Sequence, residues 1–202
     1  MAREIGISNI TLFPLTQDDD IDITYDNGSK FKLPWAVSLE TTEEYAQSEY
    51  HGDNIVERSS KITSKVGLSL EVSSDTPPSL DAKITGKVNK DGFTFNALGT
   101  TQPIFAMAYS IMMDDGNERR RVIYKCNLAR TGQTNETVSD SVTAQTYKYE
   151  GIASSTVNSN RFDLVMDKKE IDAMLPGPQK TAAEEAWRDF FTEVQGVKMA
   201  LN

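Results

Sequence analysis

Apolar and polar residues alternate with a period of two along much of this chain, which is typical of β-strands that bury one face. Residues 21–25 form one alternating run and residues 31–39 form another. Asn27 and Gly28 lie between them, and both residue types tolerate the positive φ of a tight turn. The pattern therefore predicts a β-hairpin over residues 20–40.

Residues 41–61 interrupt this alternation with a polar, acidic stretch that has few candidates for a hydrophobic core. The alternation returns at Ile62 and continues to Val72. A connection of about 20 residues is longer than usual, and loops of that length are usually functional or disordered. We therefore predict a long polar loop between two long strands.

The second half of the chain contains further strand patterns and one short helix. Residues 104–113 are apolar on both faces, which predicts a central strand covered on both sides. Pro77 and Pro78 suit the first turn of a helix that Gly86 would end. Further alternation predicts strands at residues 121–128, 142–153 and 161–166.

The C-terminal region has the pattern of a helix after a linker. Residues 176–178 read Pro-Gly-Pro, and Thr181 with Glu184 forms a capping-box pattern. One apolar stripe follows, ending before Gly196: Ala183, Trp187, Phe190, Phe191 and Val194. This stripe fits packing on the chain's own core, which we favour, or docking on a neighbouring subunit.

Together these patterns predict a mainly β (α+β) fold with about seven or eight strands, one short mid-chain helix and a C-terminal helix. A β-sandwich or partly closed barrel is the architecture that such elements form. We expect residues 1–175 to form the β-domain, including loop 41–61, and residues 176–202 to form a linker and a helical arm.

Composition narrows the classes of function. The chain has 202 residues, 38% of them hydrophobic and 25% charged, which suits a soluble globular protein. Its first 60 residues carry twelve acidic and four basic side chains, so there is no basic excess of the kind that binds nucleic acid. We find neither an apolar run of membrane-spanning length nor a signal core, so we expect no membrane partner and no export.

Few residues offer chemistry. Cys126 and His51 are single, which rules out an internal disulfide and argues against a zinc site. Residues 18–22 are rich in Asp, but the sixth position of a calcium loop needs Gly and is Ile23 here, so we favour a solvated strand start. Residues 119–121, all Arg, could hold phosphate, but we favour an interface or salt-bridge role over nucleic-acid contact. We predict no catalytic, cofactor or metal site, and no enzyme.

Seven short segments carry a resemblance through their order and spacing. They are residues 33–40, 43–44, 50–54, 67–72, 86–92, 103–109 and 121–125. Over about residues 20–155 the chain resembles the major tail tube proteins of long, non-contractile-tailed phages that infect Gram-positive bacteria. One departure is Trp35, because that position is usually Gly in the family.

The resemblance implies a structural protein of the virion tail, made and assembled in the host cytoplasm. It also implies that the subunits form stacked hexameric rings in which strands join between neighbouring subunits. The long loop would then reach the adjacent ring. The implied partners are further copies of the chain, the tape-measure protein, the tail initiator or distal tail protein and the tail terminator. DNA passes through the lumen without specific binding. The candidate inter-subunit contacts are Glu43, Glu44, Tyr45, Tyr50, His51, Asp53, Asn54, Trp187, Phe190 and Phe191.

Two other functions fit the same patterns. One is a tube protein of a contractile phage-tail-like or secretion apparatus, which would share the fold and the stacking. The other is a monomeric β-sandwich module that binds a surface, which would cluster exposed aromatic residues on one face.

Overall fold

A computed structural model describes residues 3–52, 55–132 and 145–197, with the backbone alone for residues 48–52 and 55–60. Within these ranges the chain forms strands β1 to β11 and helices α1 to α3. The strands are β1 Glu4–Asp18, β2 Ile23–Tyr25, β3 Phe31–Lys32, β4 Ala36–Gly52, β5 Ile55–Ser73, β6 Val88–Lys90, β7 Phe93–Phe95, β8 Phe105–Met113, β9 Glu118–Gly132, β10 Thr146–Ala153 and β11 Asp163–Asp167. The helices are α1 Pro78–Thr85, α2 Lys168–Ala173 and α3 Pro178–Arg188.

Nine of the strands form one antiparallel sheet. Its main order is β2-β1-β8-β9-β10-β5-β4, with β3 also paired to β1 and β11 to β9. The sheet is open, because β2 and β4 end this order and do not pair with each other. Strands β6 and β7 form a separate hairpin. The prediction of a mainly β, sandwich-like fold with a mid-chain and a C-terminal helix is confirmed.

The sheet curls around a large apolar core. Leu12 of β1, Leu70 of β5, Leu128 of β9 and Ile84 of α1 all belong to it and are almost fully buried. A smaller core on the other side of the sheet gathers Phe13 and residues of β8, β9 and the C-terminal segment. Strand β8 contributes to both cores, so the prediction of a strand covered on both faces is confirmed.

The predicted hairpin over residues 20–40 is wrong. Strands β2 and β3 lie within that span, but each pairs with β1 and not with the other. The turn at Asp26 closes instead through its own carboxylate, which accepts hydrogen bonds from the backbone N–H groups of Gly28 and Ser29. The apolar pattern of strand β1 is broken by Pro14. This strand nevertheless offers β2 and β3 a longer pairing edge than these two short strands could offer each other.

The predicted loop over residues 41–61 is also wrong, because this stretch is strand on both sides of the tip. The ladder between β4 and β5 runs from the pair Ala36–Val72 to the pair Gly52–Ile55. Only residues 66–73 of β5 also pair with β10, so residues 44–65 project as a two-stranded ribbon, called the arm below. Side chains at positions 44–47 and 61–65 are mostly exposed on both faces of the ribbon. The sequence therefore lacks the apolar-polar alternation from which strands are predicted.

Helix α1 begins and ends where the sequence predicts, with proline in its first turn and Gly86 at its C-cap in the left-handed region. Helix α3 differs in extent. It begins at Pro178, so Thr181 lies inside the first turn, where its hydroxyl donates to the Gly177 carbonyl and caps nothing. It ends at Arg188, and turns carry the chain on through Phe190 and Phe191.

Candidate assembly surfaces

The arm is the most prominent of the candidate contact surfaces. Its β5 strand contributes eleven residues, which at ~3.3 Å per residue extend about 35 Å beyond the last row shared with β10. Within it, the Glu44 carboxylate lies 3.1 Å from the Lys65 ammonium across the ladder. The Tyr45 side chain is 54% exposed, and its hydroxyl donates a hydrogen bond of 2.5 Å to Glu43, which lies at the arm's base.

The remaining arm residues predicted as contacts are only partly described. Tyr50 and His51 lie on β4 near the tip, and the structure describes their backbone alone. Asp53 and Asn54 lie outside the described residues. Their part in contacts between subunits stays a prediction.

The outer edge of β4 is a second surface with contact potential. This strand of 17 residues pairs only with β5, so its outer row of backbone N–H and C=O groups has no ladder partner in the sheet. Trp35 lies just before it, 53% exposed and with φ at +60°. That backbone conformation disfavours large side chains and favours glycine, which is the residue the resembled family usually has there.

The C-terminal apolar stripe packs on its own chain. Phe190 is 1% exposed within the smaller core, in edge-to-face contact with Phe191 at 5.3 Å between ring centroids. Trp187 and Phe191 lie half-buried at its rim, where the Arg120 guanidinium stands 4.0 Å from the centre of the Trp187 ring and 5.1 Å from that of Phe191. The structure thus places Phe190 where the favoured alternative put it, and contacts of Trp187 and Phe191 with another subunit stay predictions.

Truncating the Phe190 side chain tests how much its packing in the smaller core contributes to stability. We expect Phe190→Ala to lower the free energy of unfolding by about 3 kcal/mol, because the lost ring leaves a cavity in a closed core. The matched variant Phe95→Ala removes a ring that is mostly exposed and is expected to change stability by less than about 0.5 kcal/mol. Urea unfolding followed by circular dichroism measures both, and equal losses would contradict the assignment.

The acidic stretch at residues 18–22 has partners within the protein. The Asp18 carboxylate is nearly buried, lies 2.6 Å from the Lys125 ammonium, and accepts a hydrogen bond of 2.9 Å from the Val157 backbone N–H. Asp19 accepts hydrogen bonds from the backbone N–H groups of Ile21 and Asp22, closing a turn. Among the described residues, no three His, Cys, Asp or Glu side chains are grouped closely enough to hold a metal ion.

We expect Asp18→Ala to cost about 3 kcal/mol of stability, since it leaves a half-buried ammonium without its carboxylate. Asp20 is exposed, so Asp20→Ala is the matched control and is expected to cost less than about 0.5 kcal/mol. Thermal melts of the three proteins with and without calcium provide the measurement. A rise in the wild-type melting temperature on adding calcium would favour the metal site that the Asp-rich sequence suggests.

The three consecutive arginines are paired within the protein, as the favoured alternative predicted. Arg119 and Arg121 lie 2.6 and 2.5 Å from Asp167 and Asp163 of the neighbouring strand β11, and Arg120 lies 3.0 Å from Glu118. Hydrogen bonding to the Arg119 guanidinium and to Asn117 outweighs the effect of desolvation and holds the pKa of Asp167 at about 2. The ion pairs of Arg119 and Arg121 fasten β11 to β9.

Sequence reasoning missed one surface, the hairpin of β6 and β7. Its turn at residues 90–92 was recognisable, but the exposure of Val88, Phe93 and Phe95 was not. Alternation around the turn could have identified the strands, although a pattern alone does not say whether anything covers their apolar face. No helix in the described ranges combines the length and apolar character that a membrane span requires.

Comparisons with known proteins return little. No family model matches this sequence, and no curated protein matches it. Among solved structures, a chain of the anti-feeding prophage baseplate, determined by cryo-electron microscopy with sixfold symmetry applied, is 12% identical with a TM-score of 0.41. That similarity covers 80% of this chain and 94% of the baseplate chain. A TM-score of this size is too low to establish a shared fold or a shared role.

Proposed function

We propose that this chain is a structural subunit that assembles with copies of itself into stacked hexameric rings, which form the tube of a phage tail. The arm is the observation that carries the proposal. The arm is a ribbon of about 35 Å whose described side chains, at positions 44–47 and 61–65, are mostly exposed, and it pairs with no third strand among the described residues. Its length therefore contributes little to the stability of its own domain. A protein gains from such an extension when it lies on another molecule.

The sheet supplies the second requirement of a ring, a contact that closes by rotation. An exposed strand edge is a template for pairing with another chain, and closure into a ring leaves no such edge free. Outside the arm, the outer edge of β4 offers this template over residues 36–43. In this proposal, strands of neighbouring subunits join there into one continuous sheet around the lumen.

The charge of the chain suits a conduit for DNA. The formal net charge is −9, and acidic walls would avoid the strong, salt-dependent adhesion that basic side chains give to phosphates. DNA would pass through the lumen without specific binding. The proposed partners are the tape-measure protein, the tail initiator or distal tail protein and the tail terminator, with the virion tail as the final location.

Negative-stain electron microscopy of the purified protein tests the proposal, first alone and then with the tape-measure and initiator proteins. We expect rings and stacked tubes of constant diameter. Monodisperse monomers at high concentration in both samples would overturn the assembly role and favour a surface-binding module. Tubes that recruit a sheath protein would place the chain in a contractile apparatus instead.

A further inference from the structure

The hairpin of β6 and β7 presents its apolar face to solvent. Val88 pairs with Phe95 and Lys90 with Phe93, and cross-strand partners share a face, so these four side chains lie together. Phe93 and Phe95 are 65% and 57% exposed, with ring centroids 6.3 Å apart. The opposite face is polar and is closed by a hydrogen bond of 2.8 Å from Asn89 to Thr94.

This orientation is costly for an isolated chain. A two-stranded hairpin is marginally stable in water, and this one leaves its best packing surface uncovered. Leu98, just after β7, is fully exposed as well and enlarges the patch. Contiguous apolar surface of this kind marks an interaction site.

The charges around the patch indicate the chemistry of its partner. Residues 83–98 carry three lysines and a single acidic residue, and Lys90 lies on the apolar face itself. Lys87, by contrast, lies 3.2 Å from the buried Asp81 carboxylate. A complementary partner is acidic and carries exposed apolar side chains.

The arm and its base have both properties. Residues 40–65 carry six acidic and three basic side chains. Tyr45 and Ile62 are more than half exposed, one on each strand. Glu40 and Glu43 are exposed near the base, where they would meet lysines on an opposing surface.

A chain cannot use its own arm for this contact. The phenylalanines of the hairpin are more than half exposed in the folded chain, so its own arm does not cover them. The arm's strands continue without a break into the core at Val66 and Leu70, and their ladder fixes the direction of the ribbon. Helix α1, on which the hairpin packs, is fastened separately by a hydrogen bond of 2.7 Å from the Tyr149 hydroxyl to Asp81.

We propose that the hairpin of β6 and β7, with Val88, Lys90, Phe93, Phe95 and Leu98, is the docking surface for the arm of a second copy of this chain in the neighbouring ring. The inference rests on the proposed function, because only self-assembly brings the arm of one copy to the hairpin of another. The two surfaces differ, so the contact is head-to-tail and repeats without limit along an axis.

The test compares three proteins by analytical ultracentrifugation and negative-stain microscopy. They are the wild type, the double variant Phe93→Ser with Phe95→Ser, and the control Ile21→Ser with Leu175→Ser, which removes two apolar side chains elsewhere that are even more exposed. We expect the wild type and the control to stack, and the hairpin variant to stop at single rings, with ring-to-ring association at least about tenfold weaker. Circular dichroism checks that all three are folded.

Each outcome separates this inference from the proposed function. Stacking by all three proteins would overturn the docking surface and leave the tube role standing. Failure of all three to form rings would overturn both. A charge exchange adds an independent measure: Lys90→Glu is expected to weaken stacking, and Glu43→Lys in the same chain to restore it. Weakening without restoration would contradict the pairing of these two surfaces.

Discussion

Deleting the arm is expected to abolish the stacking of rings while leaving the domain folded. Residues 45–64 are replaced by Asn-Gly, which joins Glu44 to Lys65 through a two-residue turn at a position where these two already pair. The described side chains of the removed segment, at positions 45–47 and 61–64, belong to neither apolar core, so the free energy of unfolding is expected to change by less than about 1 kcal/mol. Assembly is expected to stop at single rings, because the ring-to-ring contact is gone while residues 36–43 of β4 keep the edge that closes the ring.

The control for this deletion is Thr42→Ser, which keeps the length of the arm. Size-exclusion chromatography with light scattering gives the mass of each protein, and circular dichroism gives its melting temperature. If the shortened chain still formed stacked rings, the arm would have no role in joining them. A large fall in melting temperature would show instead that the arm supports its own domain.

Replacing one glycine is expected to destabilise the fold more than any other single change considered. Gly86 has φ at +76°, and a Cβ added there would lie 2.2 Å from the backbone oxygen of Thr101. Gly86→Ala therefore combines an unfavourable conformation with a collision that only a backbone shift relieves. We expect a loss of more than about 4 kcal/mol in the free energy of unfolding.

Gly92 provides a matched control that measures the stability cost of the left-handed backbone conformation alone. Its φ is +83°, but an added Cβ would meet no atom within 4 Å. Gly92→Ala is therefore expected to cost about 1 kcal/mol, the penalty for an L-residue in the left-handed region. Urea unfolding of both variants measures the difference, which isolates the collision at Thr101. Equal losses of stability in the two variants would show that the backbone around Thr101 shifts away without a cost.

The elements that could be predicted are those with a local or uniform signature. Helix α1 has proline at its start and glycine at its end, and both act on the backbone of their immediate neighbours. Strand β8 is apolar throughout because both its faces are covered, so length and composition identify it without any alternation. These signals do not depend on what the rest of the chain does.

The elements that could not be predicted depend on distant partners or on their absence. Strands β2 and β3 have the pattern of a hairpin, and only the presence of β1 redirects their pairing. The described side chains of the arm, at positions 44–47 and 61–65, are mostly exposed on both faces, so these positions produce no apolar alternation. The exposure of Phe93 and Phe95 is likewise invisible in sequence, because alternation reports which side chains share a face and not whether that face is covered.

Trp35 lies between these cases. The family resemblance singles out its position because glycine is usual there, and the φ of +60° gives the physical reason. A backbone that must enter the left-handed region before β4 selects glycine in most sequences. This chain keeps the conformation with a large, half-exposed side chain.

The pairing of β1 with β8 has a consequence for synthesis on the ribosome. Strands β2 and β3 follow β1 closely, but residues 4–14 also pair with residues 105–113, so β1 waits for about half of the chain before its longest partner, β8, exists. The arm closes between neighbouring strands and can form at once, since hairpins form in about 1–10 µs. The arm can therefore begin to form before either apolar core exists, so newly made chains expose a surface for self-association while β1 still lacks its longest partner.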